Sequence, residues 1–193
     1  MDIVIFDCEI ANGIVTENNP RQDGYRYAEG WDDFAGMGVA CVCAYDTKEA
    51  RTRVFLEDNL HAFLELVEKR DAVMGFNSKR FDGRLLAASG IDLFQAHIQH
   101  IDLATLIWRA FGIEADQHPK GLGLDALCQA NGIAGKSENA GNVPQLWQDG
   151  EHGRVIDYCI GDVIATLRLY RKAVSGMLAD PRDGSWVNVW VPR

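Results

Sequence analysis

The chain has 193 residues, 47% of them hydrophobic and 24% charged, with a formal net charge of −9. That length supports one domain with a real core, and the composition is that of an ordinary globular protein. No apolar run approaches the roughly 20 residues of a bilayer span, no basic-then-apolar leader opens the chain, and the negative charge argues against adhesion to nucleic acid over a broad basic surface. An acidic chain is still compatible with a carboxylate cluster that recruits divalent cations, because bound metal inverts the sign of such a site.

The five cysteines (Cys8, Cys41, Cys43, Cys128 and Cys159) lie in apolar surroundings and read as reduced core residues. There is no C-x-x-C and no ligand spacing among the five histidines, so a zinc site is not expected. A reducing compartment, the cytoplasm, is the expected setting, with no membrane partner.

In chain order, the first strand runs from Asp2 to Phe6 and extends towards Glu9. A polar stretch rich in Asn, Asp, Gly and Arg follows to Gly36 and reads as a long excursion. Gly38 to Tyr45 is a buried strand, Asp46 to Glu49 a hairpin turn, and Arg53 to Leu56 a third strand. Asp58 or Asn59 caps a helix whose apolar stripe is Leu60, Phe63, Leu64 and Val67. Ala72 to Phe76 reads as a central strand. A helix carrying Phe81, Leu85 and Leu86 stops near Gly90, and Ile98 to Ile101 is a fifth strand. Asp102 caps a helix with Leu103, Leu106, Ile107 and Phe111. Leu122 to Ala130 is a further helix, and Pro144 suits the first turn of a short one ending near Gly150. The last helix is placed from Val155 to Leu178. The alternating tail Trp186 to Trp190 reads as an edge strand or a docking arm. This order predicts a single α/β domain with a mixed five-stranded sheet, antiparallel at its start and parallel afterwards, and helices on both faces.

Chemistry concentrates in three places. Residues two apart on a strand share a face, so Asp7 and Glu9 extend the face of Ile3 and Ile5. Two carboxylates closing a buried strand repel and are costly to desolvate, a cost that a bound cation offsets. Asp82 opens a helix directly after the fourth strand, at the end of a sheet where α/β proteins place ligands, although a helix-start acid also serves as a dipole partner. Tyr158 and Asp162 are four apart on the last helix and share one face; an ordinary structural hydrogen-bonded pair would look the same. Together, Asp7, Glu9, Asp82 and Asp162 are hard oxygen donors from separate elements, a set that selects Mg²⁺ or Mn²⁺. Four carboxylates can hold two such ions roughly 3.5–4 Å apart, the arrangement used for in-line phosphodiester displacement.

The segments Asp7-Cys8-Glu9, Asn77-x-x-x-Phe81-Asp82 and Tyr158-x-x-x-Asp162 resemble the three exonuclease motifs of the DEDD superfamily, whose members are 3′→5′ exonucleases of ribonuclease-H-like fold. Tyrosine in the third motif places the resemblance in the DEDDy subgroup. Asp102 to Leu106, Leu122 to Leu127, Gly135-Lys136-Ser137 and Tyr158-Cys159-x-x-Asp162-Val163-x-x-Thr166 are similar to exonuclease domains related to family-B DNA polymerases. The resemblance covers roughly residues 1–178, leaving 179–193 as a tail. It implies that Asp7 bridges two metal ions. Glu9 and Asp162 would hold the ion that binds the attacking water, Asp82 would support the second, and Tyr158 would orient the water. An unperturbed tyrosine has a pKa near 10, so metal coordination is the stronger source of hydroxide.

The implied substrate is the 3′ end of single-stranded DNA, released as nucleoside 5′-monophosphates. RNA as substrate, or a non-catalytic nucleic-acid-binding module, are the alternatives. No polymerase segment follows within these residues, so a free-standing exonuclease is the expectation. Ile10, Asn77, Arg80 and Phe81 are candidate substrate contacts. Ile10 stands where the family often has a hydroxyl residue. Tyr25, Arg26, Tyr27, Trp31 and Phe34 would either stack on unpaired bases or pin the excursion to the body. Lys79, Arg80, Arg84, Lys120 and Lys136 are candidate phosphate contacts, or else solvated surface charge.

Overall fold

A computed structural model describes residues 1–17, 19–114, 119–134 and 140–192. Its main sheet is built from β1 (Ile3–Ile10), β2 (Val39–Asp46), β3 (Arg51–Phe55), β4 (Ala72–Gly75) and β5 (His100–Asp102), in the spatial order β3-β2-β1-β4-β5. β1 pairs antiparallel with β2 and parallel with β4, and β4 pairs parallel with β5. The mixed five-stranded sheet is therefore as the sequence predicts.

Each face of the sheet carries its own core, because alternate residues of β1, β2 and β4 point to opposite sides. Ile3, Ile5, Cys41, Cys43, Ala72 and Met74 pack beneath α4 (Leu103–Ala110), α5 (Leu124–Ala130) and α7 (His152–Val174). Val4, Phe6, Cys8, Val42, Ala44 and Val73 pack beneath α2 (Leu60–Glu68) and α3 (Asp82–Ala88). Two smaller helices, α1 (Phe34–Met37) and α6 (Val143–Gln148), flank the strand ends. Among the described residues no helix is long and apolar enough to cross a membrane.

The last helix ends at Val174, earlier than the predicted Leu178. Gly176 turns left-handed (φ +68°) and the Met177 amide donates to the Lys172 carbonyl at 3.1 Å. That six-to-one closure ends a helix wherever a glycine can supply the positive φ. The released chain forms β6 (Leu178–Ala179), which pairs with β7 (Trp186–Val187) in a separate two-stranded ribbon. The tail thus does not extend the edge of the main sheet. Val189 and Val191 are buried in the α7-side core, so the tail docks.

The excursion between β1 and β2 is also anchored. Tyr25 donates to Asp149, the Gln148 side-chain amide donates to the carbonyls of Ala11 and Arg26, and Asn19 donates to the Gly141 carbonyl at 3.1 Å. Ile14 and Ala28 are buried beneath it. The excursion therefore folds back on α6 and walls one side of the strand end.

Candidate active site

Asp7 and Glu9 lie on the last half of β1, on the face covered by α7. On that face they stand directly opposite Cys43 and Cys41 of β2, respectively. The buried residues of α7 (Val155, Tyr158, Cys159, Asp162, Thr166, Leu169 and Ala173 among them) recur every three or four positions, so a single helical stripe meets the sheet. Tyr158 and Asp162 both lie in this stripe and are buried. Between them in sequence, Cys159 contacts β1 itself: its Sγ lies 3.4 Å from the Asp7 carbonyl and 3.7 Å from Asp7 Oδ2. Candidate ligand atoms of Asp7, Glu9 and Cys159 all fall within 4.8 Å of one another.

Asp82 approaches from the other face. β1 pairs with β4 only over Ile3–Ile5, so beyond that point the β1 edge lacks a strand neighbour on this side. The Cys8 amide, between Asp7 and Glu9, donates to Asp82 Oδ1 at 3.1 Å. Burial raises the Asp82 carboxyl to about 7, against the opposing effect of hydrogen bonds from its own amide and that of Cys8. A carboxyl so raised is one that a nearby cation would ionise. With Asp7, Glu9 and Asp162 it makes a donor set that fits a hard divalent cation. Asp82 meets this strand end through the Cys8 amide, and Asp162 lies one turn from Cys159 along the buried stripe of α7.

The turn before α3 is held by a residue read in the sequence only as a helix cap. Asp102 caps α4 by accepting from the Thr105 amide at 3.2 Å. Its two carboxylate oxygens also accept from the amides of Asn77 and Lys79, both at 3.0 Å. Asn77 is left-handed (φ +58°), a conformation asparagine tolerates better than most residues. Ser78 is fully buried, with its hydroxyl 2.9 Å from His100 Nε2. A Cβ on Gly75 would come within 2.5 Å of the Ser78 side chain, so the turn folds this closely only over a glycine. The conjunction of Asp102 with Asn77 and Lys79 depends on the β4–β5 pairing and had no local signal.

Beside Glu9 lies an apolar cavity of about 300 Å³, lined by Cys8, Glu9, Ile10, Ile14, Trp31, Phe81 and Pro144 among others. Two of the candidate substrate contacts, Ile10 and Phe81, therefore line it. Asn77 serves the turn, and Arg80 is half-buried beside Lys79 and Arg109 in a separate hollow near β5. The aromatic residues of the excursion divide. Tyr25 hydrogen-bonds Asp149, Tyr27 hydrogen-bonds the Gln22 amide, and Phe34 is buried edge-on to Phe81. Trp31 stays 62% exposed at the cavity rim, its ring 6.4 Å from that of Phe81. Arg84 stacks over Phe34 at 4.6 Å and pairs with Asp32, so it braces the excursion. Lys79 and Lys120 are exposed. Lys136, with the Gly135-Lys136-Ser137 segment, lies outside the described residues.

Comparison with known proteins agrees with this architecture. Residues 92–180 match the family model described as a predicted 3′-5′ exonuclease related to the exonuclease domain of PolB. The matched span contains Asp102, Tyr158 and Asp162, while Asp7, Glu9 and Asp82 precede it. Among solved structures the chain is similar to the family B DNA polymerase from the hyperthermophilic archaeon Pyrobaculum calidifontis, with a TM-score of 0.62 at 18% identity. That alignment covers 90% of this chain and 24% of the polymerase, so the chain spans about a quarter of the polymerase's length. No curated protein matches. The resemblance to polymerase-related exonucleases is thus borne out, and the fold is ribonuclease-H-like α/β with helices on both faces of a mixed sheet.

Proposed function

We propose that residues 1–193 form one metal-dependent 3′→5′ exonuclease domain acting on single-stranded DNA ends. The observation that carries this reading is the convergence of acids on one strand end. β1 brings Asp7 and Glu9, α3 brings Asp82 to the amide between them, and α7 brings Tyr158 and Asp162 onto the same face through the Cys159–Asp7 contact. Asp7, Glu9, Asp82 and Asp162 would hold two divalent cations, Mg²⁺ or Mn²⁺. Bound there, the ions supply Lewis-acid charge at the scissile phosphate and lower the pKa of the attacking water.

The protein's own groups position the reactants. Tyr158 orients the water for in-line attack on phosphorus. The cavity beside Glu9 accepts the terminal nucleobase, with Ile10 and Phe81 as apolar walls and Trp31 as a stacking lid. The P–O3′ bond breaks and the leaving 3′-hydroxyl takes a proton, which releases a nucleoside 5′-monophosphate. A partly open apolar pocket of a size for one unpaired base supports a single-stranded end over a duplex, whose terminal base would first have to unstack. The free thiols support a reducing, cytoplasmic setting.

The test is digestion of 5′-labelled DNA and RNA oligonucleotides of matched sequence with Mg²⁺ or Mn²⁺. We expect a one-nucleotide ladder shortening from the 3′ end of DNA, abolished in Asp7→Ala. Equal behaviour of wild type and variant would refute the assignment, and faster digestion of RNA would move it to an exoribonuclease.

A further inference from the structure

The sheet face that carries Asp7 and Glu9 also carries a group of thiols. Cys43 stands opposite Asp7 and Cys41 opposite Glu9 across the β1–β2 ladder. Side chains directly opposite in an antiparallel pair share a face and sit in contact range. Cys159 of α7 lies over them, and the three sulfurs fall within 4.8 Å of one another, all buried. The same Cys159 sulfur is 3.7 Å from Asp7 Oδ2. Two overlapping sets of ligand atoms, one of three thiols and one of Asp7, Glu9 and Cys159, therefore share Cys159.

We propose that Cys41, Cys43 and Cys159, with Asp7 as fourth ligand, form a tetrahedral site for a thiophilic divalent cation of the Zn²⁺ or Cd²⁺ type. Zinc–thiolate bonds of about 2.3 Å at tetrahedral angles place sulfurs about 3.8 Å apart and a carboxylate oxygen about 3.6 Å from each sulfur. The three sulfurs lie within 4.8 Å of one another and Cys159 Sγ is 3.7 Å from Asp7 Oδ2. Asp7 groups with Cys159 and Glu9 rather than with all three thiols, so its carboxylate must turn towards Cys41 and Cys43 to complete that geometry. Thiolates select soft ions, whereas Mg²⁺ and Mn²⁺ prefer the all-oxygen set. On binding, each of the three thiols gives its proton to solvent, so occupancy strengthens as pH rises. Asp7 is the half-buried member of the set and the three thiols are buried, so an ion would reach the thiols from the Asp7 side.

The consequence for activity rests on the proposed nuclease function. Asp7 cannot serve both sites, because turning its carboxylate towards the thiols withdraws it from the hard-cation site. A soft ion held by three thiols that the reaction does not use would therefore silence the enzyme by withdrawing Asp7. The spacing Cys41-x-Cys43 with a distant Cys159 is not a recognisable zinc pattern, and only the strand pairing and the α7 stripe assemble it.

The experiment is titration of the reduced full chain with Cd²⁺, read by the ultraviolet thiolate-to-cadmium charge-transfer band. It is run beside Mg²⁺-dependent digestion with and without added Zn²⁺. Cys41→Ala, Cys43→Ala and the double variant are compared with wild type, each checked for native circular dichroism. We expect a band saturating at one Cd²⁺ per chain in wild type. It should weaken in each single variant and be lost in the double variant. Zn²⁺ inhibition of wild type should shift to at least about 10²-fold higher concentration in the double variant, a larger cost than losing one outer partner of a metal ligand. The Mg²⁺-supported rate should stay within a few-fold. An unchanged band in the variants, or no band in wild type, would overturn the site. An unchanged Zn²⁺ inhibition profile with the band lost would overturn the coupling through Asp7. A wild type that shows the band but digests nothing in Mg²⁺ would leave the thiol site standing and count against the nuclease reading instead. If the double variant fails to fold, the two single variants test the site and its coupling to Asp7 by the same two readouts.

Discussion

The two faces of the sheet deliver their acids to the candidate site by different means. On one face, α7 is a 23-residue helix whose buried stripe lies along β1 and β2 and carries Tyr158, Cys159 and Asp162 to the sheet. On the other, α3 has seven residues and takes its place from the turn before it. That turn needs Asn77 in a left-handed conformation, Gly75 without a side chain, and the Asp102 carboxylate gripping two amides. A long amphipathic helix is held by many weak apolar contacts, so no single one decides its position. A short helix launched from a clamped turn depends on a few polar groups, each of which matters.

The comparison is tested first at the acids themselves. If both faces supply metal ligands, Asp82→Asn and Asp162→Asn should each slow single-turnover digestion in Mn²⁺ by about 10³-fold or more, or roughly 4 kcal/mol. Asparagine keeps the size and the Cys8 hydrogen bond of Asp82, so the fold should persist. If Asp82 serves only to seat α3, its variant would instead stay within tenfold of wild type. The faces would then divide into a catalytic one and a supporting one.

The clamp comes next in size. Asp102→Ala removes a buried charged acceptor from three amides at once. Hydrogen bonds to charged groups are each worth about 1.5–3 kcal/mol, partly recovered by water. A net loss of about 3 kcal/mol is expected, lowering the melting midpoint by roughly 6–12 °C for a chain of this size. Activity measured well below that midpoint should still fall, because Asp82 loses its seat. On the opposite face, Leu169→Val trims one of many apolar contacts and should leave the metal-dependent rate unchanged. Equal loss of rate in both variants would erase the distinction between the faces.

A smaller effect is expected at the cavity rim. Trp31 is exposed and lies edge-on to Phe81. In an Asp7→Ala background, which prevents digestion, Trp31→Ala should weaken single-stranded DNA binding by about 1–3 kcal/mol, read by fluorescence anisotropy. The melting midpoint should not move. Tyr25→Phe, by contrast, breaks only the link to Asp149 and should leave affinity unchanged.

The sequence was informative where periodicity governs. Asp7 and Glu9 share a face with Ile3 and Ile5 because a strand alternates, and Tyr158 and Asp162 share one because a helix repeats every 3.6 residues. The cap at Asp102 was legible as well. Illegible were the features made by long-range pairing. The second role of Asp102 requires β5 to lie beside β4, and the thiol group requires β2 to lie beside β1 in one register. The early end of α7 had a local signal in Ser175-Gly176, beyond which the apolar pair Met177-Leu178 reads as a continuation of the helix. The excursion was ambiguous because tyrosines that pin a loop and tyrosines that stack on bases have the same composition. Only their hydrogen-bond partners, Asp149 for Tyr25 and the Gln22 amide for Tyr27, separate those two from Trp31.

The smallest effect expected on the α3 face is a pH dependence. His100 is buried against Ser78, and burial, with the nearby Lys79 charge, lowers its pKa to about 4. Its unfolded value is near 6.5. The unfolded chain therefore takes up a proton between those values while the folded one does not, and stability falls as pH drops through that window. Between pH 7 and 5.5 the loss is about 1 kcal/mol, or roughly 2–4 °C in the melting midpoint. Asp82 on the same face has the opposite sign, since its raised folded pKa favours the protonated state and stabilises the metal-free protein as pH falls. The two partly cancel in the wild type, so its melting curve alone would show little. His100→Gln keeps a hydrogen-bonding group for Ser78 and does not titrate. Measured in chelator at both pH values, the difference between wild type and this variant isolates the histidine. The variant should gain on wild type by roughly 2–4 °C on going from pH 7 to 5.5. No change in that difference would mean that His100 is solvated in the folded state, and that the turn carrying Asp82 is looser than the Ser78–His100 contact implies.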